Sequence, residues 1–295
     1  MEPDKVAEEA LKELGKAAVK EAWEKKNWLF GQISRIAKWF SRTKPEGTSE
    51  GAESRGILIL GPGGTGKTTL SRFLAGDVNV VIDPPGYYEP SLLVESLPLI
   101  GSTNIEVVVA PGQDRHRKRE FDGLMADLIA GVYRGLILVV DYGHHSIELE
   151  SARDHALYKT TKAAFVRDLL EFQRREEIEI LARVLPFIKA ATQKLWVLVI
   201  VLKQDLWAPQ QEIVVKHYRD GEWGKRIAEL HSVVESKQFY LDTLFASLHI
   251  QNLTTRGGRQ ILKKNAAGFD AIRQRQSLKA LFRALDAVLV WEGNV

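Results

Sequence analysis

Residues 56–70 read GILILGPGGTGKTTL, and this stretch decides the fold. GILIL is a short apolar run typical of a buried strand, and the residues after the glycines have the apolar spacing of a helix. Such glycine-rich turns point backbone N–H groups at phosphate oxygens, a lysine bridges the outer phosphates, and a hydroxyl reaches Mg²⁺. The pattern GxxxxGK[ST] therefore predicts a phosphate-binding loop in which the nucleotide contacts Gly61, Gly63, Gly64, Thr65, Gly66, Lys67, Thr68 and Thr69.

Composition limits the classes of protein that the chain can represent. Its 295 residues, 45% hydrophobic and 27% charged, can bury one large core. A formal charge of only +3 gives no field that would indicate specific nucleic-acid binding. The absence of cysteine excludes disulfides and thiolate metal sites. The polar first residues and the shortness of the apolar runs lead us to expect a soluble, cytoplasmic protein.

The chain divides into three parts that differ in composition and in the pattern of apolar residues. Residues 1–43 are rich in Ala, Leu, Lys and Glu, which predicts an N-terminal helical extension, and residues 44–55 have the composition of a flexible linker. From residue 56 to residue 295 apolar runs alternate with helical segments, which indicates an α/β domain with a mainly parallel sheet and helices on both faces. The predicted strands are GILILG, NVVID, LLVESLPLI, IEVVVA, GLILVVD, LWVLVIVLK and YLDTLFASL. The turn GSTN within LPLIGSTNIEVVV adds one antiparallel edge strand.

Two further segments resemble the base-recognition motifs of GTPases. WVLVIVLKQDLW ends in Lys203 and Asp205, in the manner of the NKxD motif, although Leu202 stands where that family has Asn. The resemblance implies that Lys203 lies along the guanine ring and that Asp205 accepts two hydrogen bonds from the base. It also implies that a brace to the phosphate loop is missing at Leu202. Ser247, in the run FASL, resembles the weaker element that contacts the edge of the base.

The order of these motifs resembles that of Ras-like small GTPases over roughly residues 56–290. GLILVVD followed by LKQDL is similar to the ADP-ribosylation-factor branch, and PGQD after a non-acidic residue is similar to bacterial gliding-motility polarity GTPases. The resemblance implies a P-loop G domain that binds GTP or GDP with Mg²⁺ and hydrolyses GTP slowly. It also implies a protein effector or a GTPase-activating partner, and a homo- or hetero-oligomer is compatible with the sequence.

The segment VVVAPGQDRHR, residues 107–117, departs from the family at one position. Gly112 and Gln113 match the glycine that senses the γ-phosphate and the glutamine that orients the attacking water, so Gln113 and Lys67 are the predicted catalytic residues. Val109 occupies the place of the magnesium-facing acid, for which Asp141 or Asp83 could substitute. The basic residues that follow suit either an internal arginine finger or a solvated docking face.

The sequence leaves three points undecided: the second Mg²⁺ ligand, whether GTP is hydrolysed, and whether the protein is instead an ATPase. Switch I is expected in DPPGYYEPSLLVES, where Ser91, with Thr103 as a rival, would contact Mg²⁺. Val109 and Leu202 also fit a hydrolysis-deficient pseudo-GTPase that binds nucleotide as a structural ligand. A third interpretation makes the strand ending at Asp141 the metal-binding strand of a P-loop ATPase. His144 and His145 are interpreted as loop residues rather than metal ligands.

Two helical elaborations surround the predicted core. Residues 25–44 carry six basic residues and no acid, with an apolar side made of Trp28, Leu29, Ile33, Ile36, Trp39 and Phe40. This helix suits either peripheral contact with an anionic membrane or packing on the G domain or a partner. An enlarged helical insertion is predicted at about 146–195, either as one long helix kinked by Pro186 or as two helices.

Overall fold

The computed structural model describes residues 24–35, 56–82, 93–99, 105–112, 114–159, 161–231, 239–256, 258–263 and 269–293. The helices are α1 (24–35), α2 (Lys67–Leu74), α3 (Asn79–Ile82), α4 (Asp114–Ile129), α5 (Lys162–Ala190), α6 (Gln204–Trp207), α7 (Gln211–Arg219), α8 (Glu222–His231) and α9 (Ala271–Gly293). The strands are β1 (Gly56–Leu60), β2 (Glu95–Pro98), β3 (Glu106–Val109), β4 (Tyr133–Val140), β5 (Leu195–Val201), β6 (Phe239–Phe245), β7 (Leu253–Thr254) and β8 (Gln260–Leu262).

Six strands form one sheet in the order β2-β3-β1-β4-β5-β6. Strands β3, β1, β4, β5 and β6 run parallel, and β2 pairs antiparallel with β3 in the register Glu95↔Val109. The α/β fold and its single antiparallel edge strand are thus confirmed. Because the phosphate-binding motif follows β1, it lies at the carboxyl edge, where open parallel sheets bind ligands.

Each face of the sheet has its own core because alternate strand residues point in opposite directions. On one face Ile57, Ile59 and Val139 pack with residues of α1, α2, α3 and α9. On the other face Leu58 and Val140 pack with residues of α4, α5, α7 and α8. The sheet is therefore a central layer with helices on both sides, as the continuously apolar strands predict.

The strand predicted for NVVID is wrong. Asn79–Ile82 form the short helix α3, and the backbone N–H of Asn79 donates to the Asp77 carboxylate at 3.2 Å. Val80 and Val81 are buried in the core formed with α9. An apolar run as short as Val80–Ile82 satisfies a buried helix as well as a buried strand, so the pattern alone could not separate the two.

The chain between β4 and β5 contains one long helix rather than two. α5 runs unbroken for 29 residues with Pro186 inside it, and the Thr161 hydroxyl caps it by accepting from the Ala164 N–H at 3.2 Å. Proline near the end of a helix removes one backbone hydrogen bond without ending it when the flanking residues stay packed. Here Leu185 and Ile188 are buried on either side of the proline.

The N-terminal helix α1 packs on α9. Leu29 and Ile33 are 0% and 1% exposed, and the ring of Trp28 meets that of Phe282 edge to face at 5.6 Å. The Arg35 guanidinium lies 2.7 Å from the Asp286 carboxylate. α9 therefore covers this part of the apolar side, which excludes it from a membrane in this arrangement.

The rest of that apolar side, Ile36, Trp39 and Phe40, lies outside the described residues, as do the proposed boundaries at 43/44 and 55/56. Membrane contact through residues 25–44 stays a prediction for these positions. Among the described helices, none combines the length and the apolarity needed to cross a bilayer.

Substituting Leu29 by alanine is expected to lower the free energy of unfolding by about 2–5 kcal/mol, because it leaves a cavity between α1 and α9. Chemical denaturation of the full chain measures this loss. Phe30→Ala on the same helix is the matched control, since Phe30 is 37% exposed and its truncation removes much less buried surface. Equal, small losses for both variants would show that α1 contributes nothing to the core.

Candidate functional site

The loops that follow β1, β3, β4, β5 and β6 meet at the carboxyl edge of the sheet. Four of them touch through hydrogen bonds. The Ser146 N–H after β4 donates to the Gly64 carbonyl after β1 at 3.2 Å, and the Gln204 N–H after β5 donates to the Ala246 carbonyl after β6 at 3.2 Å. The sequence-predicted residues of the described loops are thus brought to one place.

The phosphate loop, residues 61–67, depends on glycine at its turning points. Gly64 and Gly66 have φ values of 76° and 100°, in the left-handed region that favours glycine. A Cβ at Gly64 would lie 2.3 Å from the Ser146 carbonyl oxygen, and one at Gly61 would lie 2.1 Å from the Val139 carbonyl oxygen. The loop can therefore curl and pack against the neighbouring strand loop only with these glycines.

Lys67 begins α2 and is 4% exposed. Its ammonium donates to the Pro62 carbonyl at 2.7 Å, and the Thr65 hydroxyl donates to the same oxygen at 3.0 Å. The lysine thus folds back over its own loop. Thr68 and Thr69 are half-buried on the first turn of α2, where free N–H groups and the helix dipole favour anions.

Gly112, after β3, lies directly against the phosphate loop. A Cβ on this glycine would be 2.6 Å from both the Gly63 Cα and the Lys67 Nζ. Gly112 therefore adjoins the predicted phosphate loop, and its phosphate-sensing role stays a prediction. Val109 is fully buried in the core and supplies no oxygen there. Gln113 lies outside the described residues.

Lys203 joins the loop after β5 to the phosphate loop. Its ammonium donates to the Gly64 and His144 carbonyls, and it lies 2.8 Å from the Asp141 carboxylate. The side chain is only 11% exposed. One ammonium therefore fixes the relative position of the two loops that would hold the base and the phosphates.

The brace expected to be lost at Leu202 is supplied in another way. Leu202 is 2% exposed, and its Cδ1 lies 3.2 Å from the position of a Cβ on Gly66. The loop after β5, residues 202–205, is called here the base loop. Apolar contact at Leu202 and the Lys203 ammonium together hold the base loop on the phosphate loop. The missing Asn therefore does not leave the two loops unconnected.

Asp205 and Ser247 meet, although they are 42 residues apart. The Ser247 hydroxyl donates to the Asp205 carboxylate at 2.6 Å, and the Gln251 N–H donates to the other oxygen at 3.2 Å. Burial raises the pKa of Asp205 to about 6, against the opposing effect of these two donors and of Lys203. The carboxylate is thus held in one orientation and is ionised at neutral pH.

The loop after β4, residues 141–146, is called here the β4 turn. The Asp141 carboxylate is buried between Lys203 and His145, whose Nε2 lies at 3.2 Å. This carboxylate therefore neutralises the base-loop lysine, and the geometry offers no support for Asp141 as a magnesium-facing acid. Asp83, the other substitute, lies outside the described residues.

The two histidines of the β4 turn differ in charge. Burial lowers the pKa of His144 to about 4, so this ring is neutral. Burial has the same tendency at His145, but the carboxylates of Asp141, Glu176 and Glu177 outweigh it and raise the pKa of His145 to about 9. His145 is therefore an imidazolium in a buried carboxylate cluster.

Glu177 and Tyr218 are site residues that the sequence did not reveal. Glu177, from α5, is 0% exposed and accepts from the backbone N–H groups of Asp141 and Gly143, both at 3.0 Å. The Tyr218 hydroxyl donates to Glu177 at 2.6 Å and accepts from the Tyr142 N–H at 2.9 Å. The sequence did contain a sign of a buried acid, because Glu177 lies on the apolar side of α5, three residues before Ile180.

Asp141, His145 and Glu177 also bring three potential ligand atoms within 4.8 Å of one another. One Glu177 oxygen already accepts two backbone N–H groups and lies 3.2 Å from the His145 Nε2. The proton on His145 balances the nearby carboxylates. The cluster is therefore better described as a buried ion-pair network than as a metal centre.

For Mg²⁺ at the phosphate loop, the described residues supply the Thr68 hydroxyl. Ser91, the second predicted ligand, lies outside them. Mg²⁺ in nucleotide sites usually keeps several waters and takes one or two protein oxygens together with the phosphates. A single hydroxyl therefore fits the ion, which would neutralise charge on the phosphates.

No protein-family model and no curated protein matches the sequence. Among solved structures, the chain is similar to an ADP-ribosylation factor-like GTP-binding protein, the small COPII coat GTPase SAR1 from Encephalitozoon cuniculi in complex with GDP. The identity is 13%, the TM-score 0.41, and the match covers 96% of this chain and 95% of that one. It is also similar to a chloroplast translocon structure, of atToc33 and psToc159, whose dimerization is described as important for GTPase activity. There the identity is 12%, the TM-score 0.41, and the coverage 88% and 91%.

Proposed function

We propose that the chain binds GTP and GDP at the carboxyl edge of its sheet and hydrolyses GTP slowly, as a nucleotide-dependent switch toward a protein partner. The observation that carries the proposal is the Lys203 ammonium, which ties the phosphate loop at Gly64 to the loop that holds Asp205. A phosphate cradle and a buried, oriented carboxylate joined in this way match the two ends of a nucleotide.

Guanine is the base that Asp205 favours. A carboxylate accepts two hydrogen bonds from the N1 and the exocyclic amine of guanine, whereas adenine offers no such donor pair. Ser247 and Gln251 hold the carboxylate in place. The ATPase alternative requires Asp141 at a metal ion, yet Asp141 is paired with Lys203.

Hydrolysis in the proposal depends on positioning rather than on a general base. Phosphoryl transfer is catalysed mainly by orienting the attacking water and stabilising charge, so the loss of an acid at Val109 slows the reaction without abolishing it. Gln113 orients the water, and Gly112 and Lys67 contact the γ-phosphate. The pseudo-GTPase alternative is favoured by one feature, the complete burial of Val109 in the hydrophobic core.

The partner is an effector or a GTPase-activating protein that contacts the switch segments near Gln113 and in residues 83–96. Residues 36–44, the part of 25–44 that lies outside the described residues, provide the proposed peripheral membrane contact. A cytoplasmic location and assembly into a homo- or hetero-oligomer belong to the same proposal.

The test has two steps: competition of unlabelled nucleotides against a labelled guanine nucleotide, and then single-turnover hydrolysis of GTP. We expect GDP and GTP to displace a labelled guanine nucleotide at least about tenfold better than ADP and ATP, since two base hydrogen bonds separate the bases. We then expect single-turnover phosphate release from GTP that falls about 10- to 100-fold in Gln113→Ala. Preference for ATP would overturn the role of Asp205, and tight GTP binding without phosphate release would support the pseudo-GTPase.

A further inference from the structure

The β4 turn and Lys203 share an uncommon backbone conformation. Among the described residues other than glycine, positive φ values occur at Tyr142 (58°) and Lys203 (56°). Tyr142 directly follows Asp141, and Lys203 is the ion-pair partner of Asp141. Strained residues persist only where the surrounding structure holds them, and they concentrate at functional sites. The side chains that hold the β4 turn in this conformation are therefore candidates for a functional role.

Glu177 and Tyr218 capture three successive backbone N–H groups of this turn. The Asp141 and Gly143 N–H groups donate to the Glu177 carboxylate, and the Tyr142 N–H donates to the Tyr218 hydroxyl. Successive N–H groups in a turn with left-handed residues form a concave anion-binding nest. The anion in this nest is the side chain of Glu177, which is completely buried.

Glu177 carries the negative charge that an anion-binding nest requires. Although burial favours the neutral acid, the hydrogen bonds from His145 and Tyr218 and the charge of His145 lower the pKa of Glu177, which is therefore ionised. Burial and the Glu177 carboxylate raise the pKa of Tyr218 well above its usual value, so its hydroxyl stays a donor. The fully buried carboxylates of the network are Asp141 and Glu177, and its cations are Lys203 and His145.

The β4 turn in turn holds the phosphate loop. Its Ser146 N–H donates to the Gly64 carbonyl at 3.2 Å. Its Asp141 carboxylate and His144 carbonyl receive the Lys203 ammonium, which donates to Gly64 as well. A continuous chain of polar contacts thus leads from the middle of α5 to the phosphate loop.

We propose that Glu177 is a positioning residue for nucleotide binding, which sets the β4 turn so that Lys203 and the phosphate loop are placed for the phosphates. This inference rests on the proposed function and adds to it a residue on α5, outside every nucleotide-binding motif. Glu177 touches no nucleotide itself. It acts through Lys203 and Gly64.

The experiment measures GDP dissociation constants for the purified full chain. Glu177→Gln keeps the size of the side chain but loses its charge, and we expect its dissociation constant for GDP to rise about tenfold or more. Glu179→Gln is the matched control on the same helix, because Glu179 is exposed and lies outside the carboxylate network around His145. We expect this control to stay within about twofold of the wild type.

A double-mutant cycle separates positioning from general loss of structure. If Glu177 acts through Lys203, the double variant Glu177→Gln with Lys203→Met binds GDP about as weakly as Lys203→Met alone. Multiplying effects would show independent roles and overturn the inference. If Glu177→Gln does not fold, Tyr218→Phe takes its place in the cycle, with an expected rise of about threefold to tenfold.

A readout without nucleotide keeps this inference apart from the proposed function. We expect amide hydrogen exchange at Ser146 to become at least about tenfold faster in Glu177→Gln and to stay unchanged in Glu179→Gln. Wild-type protein that binds no GDP would overturn the proposed function. Wild-type protein that binds GDP, with a Glu177→Gln variant equal to it in affinity and in exchange, would overturn only the role of Glu177.

Discussion

Replacing Lys67 by alanine is expected to weaken GDP binding about 100-fold or more and to abolish GTP hydrolysis. Lys67 is 4% exposed, and its ammonium lies against Pro62 and Gly112 at the phosphate loop. When phosphates enter, a neutral carbonyl is exchanged for charged oxygens, which form shorter and stronger hydrogen bonds with an ammonium. Calorimetric titration with GDP measures the loss.

Stability should respond to Lys67→Ala much less than affinity does. The Lys67 ammonium donates to a neutral carbonyl oxygen, Pro62 O, and the cost of burying its charge offsets part of what this hydrogen bond contributes to stability. Lys225→Ala, on the exposed side of α8, is the control for removal of a positive charge and should bind GDP like the wild type. An unchanged GDP affinity in Lys67→Ala would show that the phosphate loop does not hold the nucleotide.

Local patterns predicted the parts of the site that lie within one loop. The phosphate loop is contiguous, and its glycines, lysine and threonine follow from spacing alone. The strand order β2-β3-β1-β4-β5-β6 places the loops of Lys203 and Ser247 at the same edge, so that the Ser247 hydroxyl reaches Asp205. The contacts of these loops with a nucleotide stay predictions, as does the contact of Ser91 with Mg²⁺.

Contacts that depend on three-dimensional packing could not be predicted. Glu177 is 36 residues from Asp141, on a helix whose charged residues otherwise read as a solvated face. The sequence indicates only that His145 is a loop residue, because its carboxylate partner Glu177 comes from α5, 32 residues away. NVVID formed a helix because Val80 and Val81 are buried in the core with α9, which a run of four residues cannot specify.

Substituting Lys203 by methionine is expected to reduce both stability and nucleotide affinity. Methionine keeps the apolar stem but leaves the buried Asp141 carboxylate without its partner at 2.8 Å. Removing one member of a buried ion pair typically costs about 3–5 kcal/mol, and His145, 3.2 Å from the other Asp141 oxygen, should limit the loss to about 3 kcal/mol. Chemical denaturation without nucleotide measures this part of the effect.

The loss of affinity in Lys203→Met has a separate cause. Without the ammonium, Gly64 loses a hydrogen bond from the base loop, and the two ends of the nucleotide site are no longer held at a fixed separation. We expect GDP binding to weaken about 100-fold, measured at a temperature where the variant is folded. Gln204→Met, at the next residue, keeps the Lys203 contacts and should retain wild-type affinity. If Lys203→Met loses stability but binds GDP normally, Lys203 is a structural counter-ion of Asp141 and the nucleotide does not use the joined loops.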